Sequence, residues 1–223
     1  MKILFLGTGA ADYKPEHKAL EGYRRNCSVL IDDVLLIDPG PSVPDAIETF
    51  GVDVSKIKYV LNTHRHSDHF NLETLEMLKS NGAVFLELED DEERVIDGYT
   101  VTALKGNHPV KTQHFIIENG ESKLFYGLDS SWLFRPEIRA IKAKQIDFAV
   151  FDGTIGFVKG DSRIFEHCSM PMIVMMLEYL GKHIKRTCVS HMARTLHTDH
   201  QTLAAEMAKH GVEVAYDGWS TEF

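Results

Sequence analysis

The sequence predicts a mixed α/β protein folded as one domain over residues 1–223, and three observations carry that prediction. Short, β-rich apolar runs fill the first two-thirds of the chain. Amphipathic helical segments interrupt them, and the runs repeatedly end in a histidine or an aspartate. With 223 residues, 43% of them hydrophobic and 26% charged, the chain can bury a sizeable core without covalent staples.

The same composition removes several classes of function. The formal net charge is -9, so no general attraction to nucleic acid or to an anionic membrane is expected. Cys27, Cys168 and Cys188 are isolated thiols without C-x-x-C spacing, which fits a reducing compartment better than a disulfide framework. The apolar run in "MKILFLGTGA" is too short for a signal-peptide core, and no run approaches the length of a membrane span. A cytoplasmic protein is expected.

In chain order, "KILFL" (2–6), "SVLID" (28–32) and "DVLLID" (33–38) read as strands, the last two joined by a tight acidic turn. "KYVLN" (58–62) is another. Asn71 caps a helix over "LETLEMLKS", with Leu72, Leu75 and Leu78 on one face and Asn81-Gly82 as the stop. Asp97-Gly98 joins "RVI" to "YTVTAL" as a hairpin, and "NGES" joins "HFIIE" (114–118) to "KLFYGLD" (123–129). The acidic run "ELEDDEER" (87–94) reads as a solvated face. "FAVFD" (148–152), "RTCVS" (186–190) and "VEVAY" (212–216) are later strands. Residues 169–183 and 200–211 read as helices, with Met170, Met172, Met175 and Met176 as core filler. "GTGAAD" lacks the third glycine of a dinucleotide fingerprint and is set aside.

The chemistry gathers at strand ends. His64 and His66 stand two apart on an irregular turn, where both rings can clasp one cation, and Asp68 and His69 can face a second. His108 follows "YTVTALKGN", Asp129 ends "KLFYGLD", and His191 ends "RTCVS". Strands of open sheets place ligands at their carboxyl ends. His108 is preferred over His114, which opens the next strand and alternates into packing. His191 is preferred over His197 and His200 because it ends its strand. Seven such donors form two incomplete shells, and open positions mark a catalytic site rather than a structural one.

The segment His64-x-His66-x-Asp68-His69 resembles the H-x-H-x-D-H signature of the metallo-β-lactamase superfamily. "LGTGAA" is similar to that family's opening strand and loop, "NCSVLIDDVLLIDPG" to its first hairpin, and "YGLDSS" to its bridging-aspartate motif. "SHMARTLHTDHQTLAAEM" followed by "VEVAYDGWSTEF" resembles the tail of the phosphodiesterase branch, which includes tRNase Z and the phosphoribosyl cyclic phosphodiesterase. The implied fold is a four-layer αβ/βα sandwich.

The resemblance implies two divalent metal ions, zinc or else manganese or iron. His64, His66 and His108 would hold the first, Asp68, His69 and His191 the second, and Asp129 would bridge both. It places Asp38 behind a ligand histidine as an orienting partner and His167, in "FEHCSM", as an aid to proton transfer. Three features depart from that branch: no cysteine-rich zinc clip precedes Cys27, the final ligand motif has Arg194 and two extra residues before His200 where the branch has a second histidine three residues on, and no Gly/Pro-rich basic arm is inserted.

The implied activity is hydrolysis of a small anionic phosphodiester, cyclic or nucleotide-like, through a metal-bridging hydroxide, with Asp68 and His167 as the catalytic side chains. A lactone, thioester or other acyl substrate is the alternative on the same fold, and a metal-holding sensor without turnover is the alternative outside enzymology. Arg135 or Arg194 could meet an anionic leaving group, and the chain could pair as a homodimer. Neither a membrane nor a nucleic acid is expected as a partner.

Overall fold

The computed structural model describes the backbone of residues 1–223 and every side chain except that of residue 15. The chain divides into two compact units, residues 1–87 with 215–222, and residues 88–214 with 223.

The first unit is a six-stranded mixed sheet in the order β13-β1-β2-β3-β4-β5. Its strands are β1 (Lys2–Gly7), β2 (Ser28–Ile31), β3 (Leu35–Ile37), β4 (Tyr59–Leu61), β5 (Val84–Phe85) and β13 (Ser220–Glu222). β1, β2 and β3 run antiparallel through the tight turn at Asp32-Asp33, where both residues have positive φ (49° and 59°). β3, β4 and β5 are parallel, so the chain leaves β3 and β4 at the same sheet edge. Helices α1 (Val43–Phe50) and α2 (Leu72–Ser80) bury Val43, Ala46, Leu75 and Leu78 against Leu30, Leu36 and Val60.

The second unit is a seven-stranded sheet in the order β12-β11-β10-β9-β8-β7-β6. The strands are β6 (Glu93–Ile96), β7 (Tyr99–Lys105), β8 (Gln113–Glu118), β9 (Lys123–Gly127), β10 (Ile146–Asp152), β11 (Ile184–Ser190) and β12 (Val212–Val214). β6 to β9 form an antiparallel meander, and β9 to β12 are parallel. β7, two antiparallel steps from β9, therefore points the same way as β9, β10 and β11, and all four strands end at one sheet edge. Helices α3 (Arg135–Lys144), α4 (Met170–Leu180) and α5 (His200–Ala208) close the core, which packs Phe125, Phe151, Ile141, Ile173, Leu180 and Met207 together.

The expected strands and helices are present with ends shifted by a few residues, and Asn71 caps α2 by accepting from the Thr74 amide. Two side chains differ from expectation. Leu72, in the first turn of α2, is 62% exposed, and Met175, on the outer side of α4, is 59% exposed. Two helices were not anticipated. α1 is a short helix that enters through Pro44 and leaves through left-handed Gly51. α3 buries Glu137 beside Ile141, so a charged residue interrupts the apolar stripe that periodicity detects.

Phe125 is fully buried in the second unit's core. Phe125→Ala is expected to lower stability by about 3–5 kcal/mol, read as a reduced urea midpoint of the metal-free chain.

Candidate metal centre

In the first unit, the parallel pair β3–β4 delivers Asp38 and the 62–69 loop to one edge, and the Asp38 amide donates to Leu61 O at 2.9 Å. The Asp38 carboxylate is fully buried. Its Oδ1 accepts from Asn62 Nδ2 (3.0 Å), the Thr63 amide (2.7 Å) and Thr63 Oγ1 (2.9 Å), and its Oδ2 accepts from His69 Nδ1 at 2.8 Å. The last bond decides a tautomer: with its proton on Nδ1, His69 keeps a lone pair on Nε2, which lies 3.3 Å from Asp68 Oδ2.

Thr63 Oγ1 gives its proton to Asp38 and lies 3.0 Å from His64 Nδ1, which donates to it in turn. His64 Nε2 is thereby left as an acceptor, 2.9 Å from His66 Nδ1. Gly40 makes the close approach possible, since a Cβ there would lie 2.3 Å from the Asp68 carbonyl oxygen. His64, His66, Asp68 and His69 are thus gathered by a single buried carboxylate.

In the second unit, the shared sheet edge gathers His108 after β7, Asp129 after β9, Asp152 at the end of β10 and His191 after β11. Asp129, Asp152, His167 and His191 each offer a ligand atom, all within 4.8 Å of one another, and His108 and Asp129 meet the same limit. Asp129 and His191 are buried, and His191 Nε2 lies 3.3 Å from Asp129 Oδ2. His108 donates from Nδ1 to the Glu166 carbonyl (3.1 Å), which leaves its Nε2 as the ligating atom. Asp38, Asp129 and His191 all have positive φ (65°, 50° and 61°), a conformation costing about 1–3 kcal/mol per residue that persists only where the surroundings enforce it.

His167 is held from the side. Its Nδ1 lies 2.8 Å from Asp152 Oδ2 and 3.8 Å from Asp129 Oδ1. Burial alone lowers the imidazolium pKa, but the Asp152 charge and hydrogen bond, with the Asp129 and Glu166 charges, outweigh it and raise His167 to about 9. Asp152 is moved up by burial and further down by His167 and His191, so it remains a carboxylate. A cation bound at Asp129 would act on His167 in the opposite sense.

His114 faces inward. It contacts Glu137 Oε1 at 2.5 Å through Nδ1 and the Leu128 carbonyl at 3.0 Å through Nε2, with both side chains fully buried. His197 contacts the Thr154 carbonyl (3.0 Å), and Arg135 and Arg194 are exposed. Trp132 and Phe134 are 43% and 37% exposed. Asp152, which ends "FAVFD" and reads from the sequence as an orienting partner for a ligand histidine or as a loop cap, is the group that holds His167. Thr154, beside this cluster, is not singled out by its residue type.

The donor chemistry suits a divalent ion. Imidazole nitrogens and carboxylate oxygens converge, those of His64, Asp68, His69, Asp129 and His191 in buried positions, and Nδ1 of His64, His69, His108 and His191 is held by a hydrogen bond that leaves Nε2 to face an ion such as zinc or manganese. In both clusters the residues present fit the implied metal.

Comparison with known proteins bears on the fold. A family model described as "Anti-Pycsar protein Apyc1" matches residues 1–82, which run from β1 through α2 and include the H-x-H-x-D-H segment. No curated protein matches by sequence. The metallo-β-lactamase fold protein YhfI from Bacillus subtilis superposes with a TM-score of 0.80 at 17% identity, over 100% of this chain and 99% of that one. Zinc-bound PqqB from Methylobacterium extorquens gives 0.79 at 16% identity over all of both chains. A diphosphatase of the PhnP family gives 0.76 at 18% identity, over 100% and 97%. The chain has the metallo-β-lactamase fold, the α/β architecture that its sequence implies.

Two outcomes are expected. Asp38→Asn places an amide where His69 Nδ1 needs an acceptor, so divalent-ion affinity should fall about ten- to hundredfold in a chelator-competition titration. The His167–Asp152 pair predicts a pH effect on the metal-free chain. His167 is raised in the folded state, so its contribution to stability is complete below its unfolded pKa of roughly 6.5. That contribution is lost as pH rises toward about 9. Thermal melting across this window should show the loss, and Asp152→Asn should flatten it.

Proposed function

We propose that this chain is a metal-dependent hydrolase with two divalent ions, zinc or else manganese or iron, acting on a small anionic phosphodiester. The observation that carries the reading is the pairing of two ligand-competent His/Asp clusters with a histidine held by a buried carboxylate. A hydrolase needs both kinds of group, whereas a structural metal site needs only the first. The proposed ligands are His64, His66 and His108 for one ion and Asp68, His69 and His191 for the other, with Asp129 shared. That assignment rests on the family resemblance. The name of one fold neighbour, a diphosphatase of the PhnP family, supports phosphate chemistry. The chain is proposed to work in the cytoplasm on a small molecule rather than on nucleic acid or at a membrane. No helix among the described residues is long and apolar enough to cross a membrane.

When bound, such ions lower the pKa of water toward neutrality and offset negative charge that develops on phosphoryl oxygens. The protein's own groups do the rest. Asp68, buried and beside His69, takes the proton of the attacking water. His167, held through Nδ1 by Asp152, is placed to deliver a proton to the leaving oxygen. Asp152 holds the His167 ring by its Nδ1, which leaves Nε2 as the atom that gives the proton.

Turnover of bis(para-nitrophenyl) phosphate by metal-loaded protein tests this reading, and Asp68→Ala should lose nearly all of it. His167→Ala should cost about 10²–10⁴-fold with an alkoxide leaving group and much less with para-nitrophenolate, which leaves without a proton. A chain shown to carry both ions that hydrolyses no phosphodiester would refute the substrate class and direct the search to lactones and thioesters.

A further inference from the structure

Thr154 lies two residues past the end of β10 and is buried. Its Oγ1 is 2.8 Å from His191 Nδ1, 3.1 Å from the His191 carbonyl oxygen and 3.2 Å from His167 Nδ1. A hydroxyl has one proton and two lone pairs, so these contacts cannot all be equivalent. The proton goes to the His191 carbonyl, which can only accept. Oγ1 then accepts from His191 Nδ1–H. His167 Nδ1 has a closer and charged acceptor in Asp152 Oδ2 at 2.8 Å, so His191 is the ring that the hydroxyl orients.

Two consequences meet at one residue. With its proton on Nδ1, His191 keeps a lone pair on Nε2, the atom turned toward Asp129 Oδ2 at 3.3 Å. The backbone of His191 is left-handed, with φ 61°, a conformation that a residue with a Cβ holds only under constraint. The Thr154 hydroxyl grips both the ring and the carbonyl of this residue.

Thr154 is itself immobilised. Its amide donates to Asp152 Oδ1 (2.8 Å), its carbonyl accepts from His197 Nε2 (3.0 Å), and the neighbouring Gly153 amide donates to Ser190 O (2.7 Å). Hydrogen bonds thus tie the ends of the parallel pair β10–β11 together, with the hydroxyl at the centre.

We propose that Thr154 is a positioning residue for metal binding: its hydroxyl holds His191 in the backbone conformation and the tautomer that present Nε2 to a divalent ion. This rests on the reading of His191 as a ligand. Valine preserves the branched shape and removes only the hydroxyl, whereas serine keeps the hydroxyl and loses a methyl group.

The test uses the full-length wild-type chain, Thr154→Val and Thr154→Ser. Zinc affinity is titrated against a chromophoric chelator, and the His191 tautomer is read by nitrogen-15 NMR of the metal-free protein at alkaline pH. The wild type should show the Nδ1–H tautomer. Thr154→Val should bind zinc about ten- to hundredfold more weakly and lose that tautomer signature, while Thr154→Ser stays within about threefold of wild type. Wild-type affinity in Thr154→Val overturns the proposal, as does an equal loss in both variants. Should the valine variant not fold, an Nε2–H tautomer in wild-type His191 overturns it directly. A wild-type chain that binds no divalent ion sinks the metal reading and this proposal together, whereas zinc binding unaffected by the valine change sinks this proposal alone.

Discussion

The first cluster depends on one buried carboxylate. Asp38 is out of water and in a left-handed backbone conformation, and both facts are unfavourable by themselves. They are offset by the groups that converge on it: an amide side chain, a backbone N–H, a hydroxyl and an imidazole. Each of these belongs to the loop that carries the metal-binding signature. The carboxylate that needs donors and the loop that needs a fixed shape satisfy each other, and the shape is one in which imidazole lone pairs point outward. Gly40 enters the same logic, because the turn after β3 lies directly against the Asp68 carbonyl and leaves no room for a side chain.

The second unit solves the same problem differently. No single group organises it; sheet topology does. Because β9, β10 and β11 are parallel and β7 shares their direction, four separated stretches of chain end together. The chain must turn sharply at each end, and Asp129 and His191 do so with positive φ. Asp and His tolerate that region better than most residues. A polar network behind the ligands enforces it, with Asp152 holding His167 and the Ser130 and Thr154 amides.

Charge explains why the clusters are suited to cations rather than simply tolerated. Asp129 and Asp152 are buried carboxylates, and the imidazoles around them can supply either protons or lone pairs. Without metal, protonation of His167 balances part of that charge, hence its raised pKa. A cation held at Asp129 would offset the same charge.

Much of this was legible in the sequence. Residue types and spacing singled out His64, His66, Asp68, His69, His108, Asp129 and His191, because imidazole and carboxylate at strand ends have few other uses. Strands and capped helices were legible where local periodicity and turn chemistry agreed, as at Asn71 and Asp97-Gly98. Helix α3 was hidden because Glu137, which it buries, finds its partner in His114, 23 residues earlier in the chain. Strand β13 was hidden because its polar residues are defined only by pairing with β1 at the other end of the chain. The sequence by itself determined which side chains could bind metal, since that is a property of their atoms. Tertiary structure alone decided which ring nitrogen each histidine presents and which residues, such as Thr154, hold it there. Tautomer and orientation are set by hydrogen-bond partners distant in sequence, and those meet only when the strands pair.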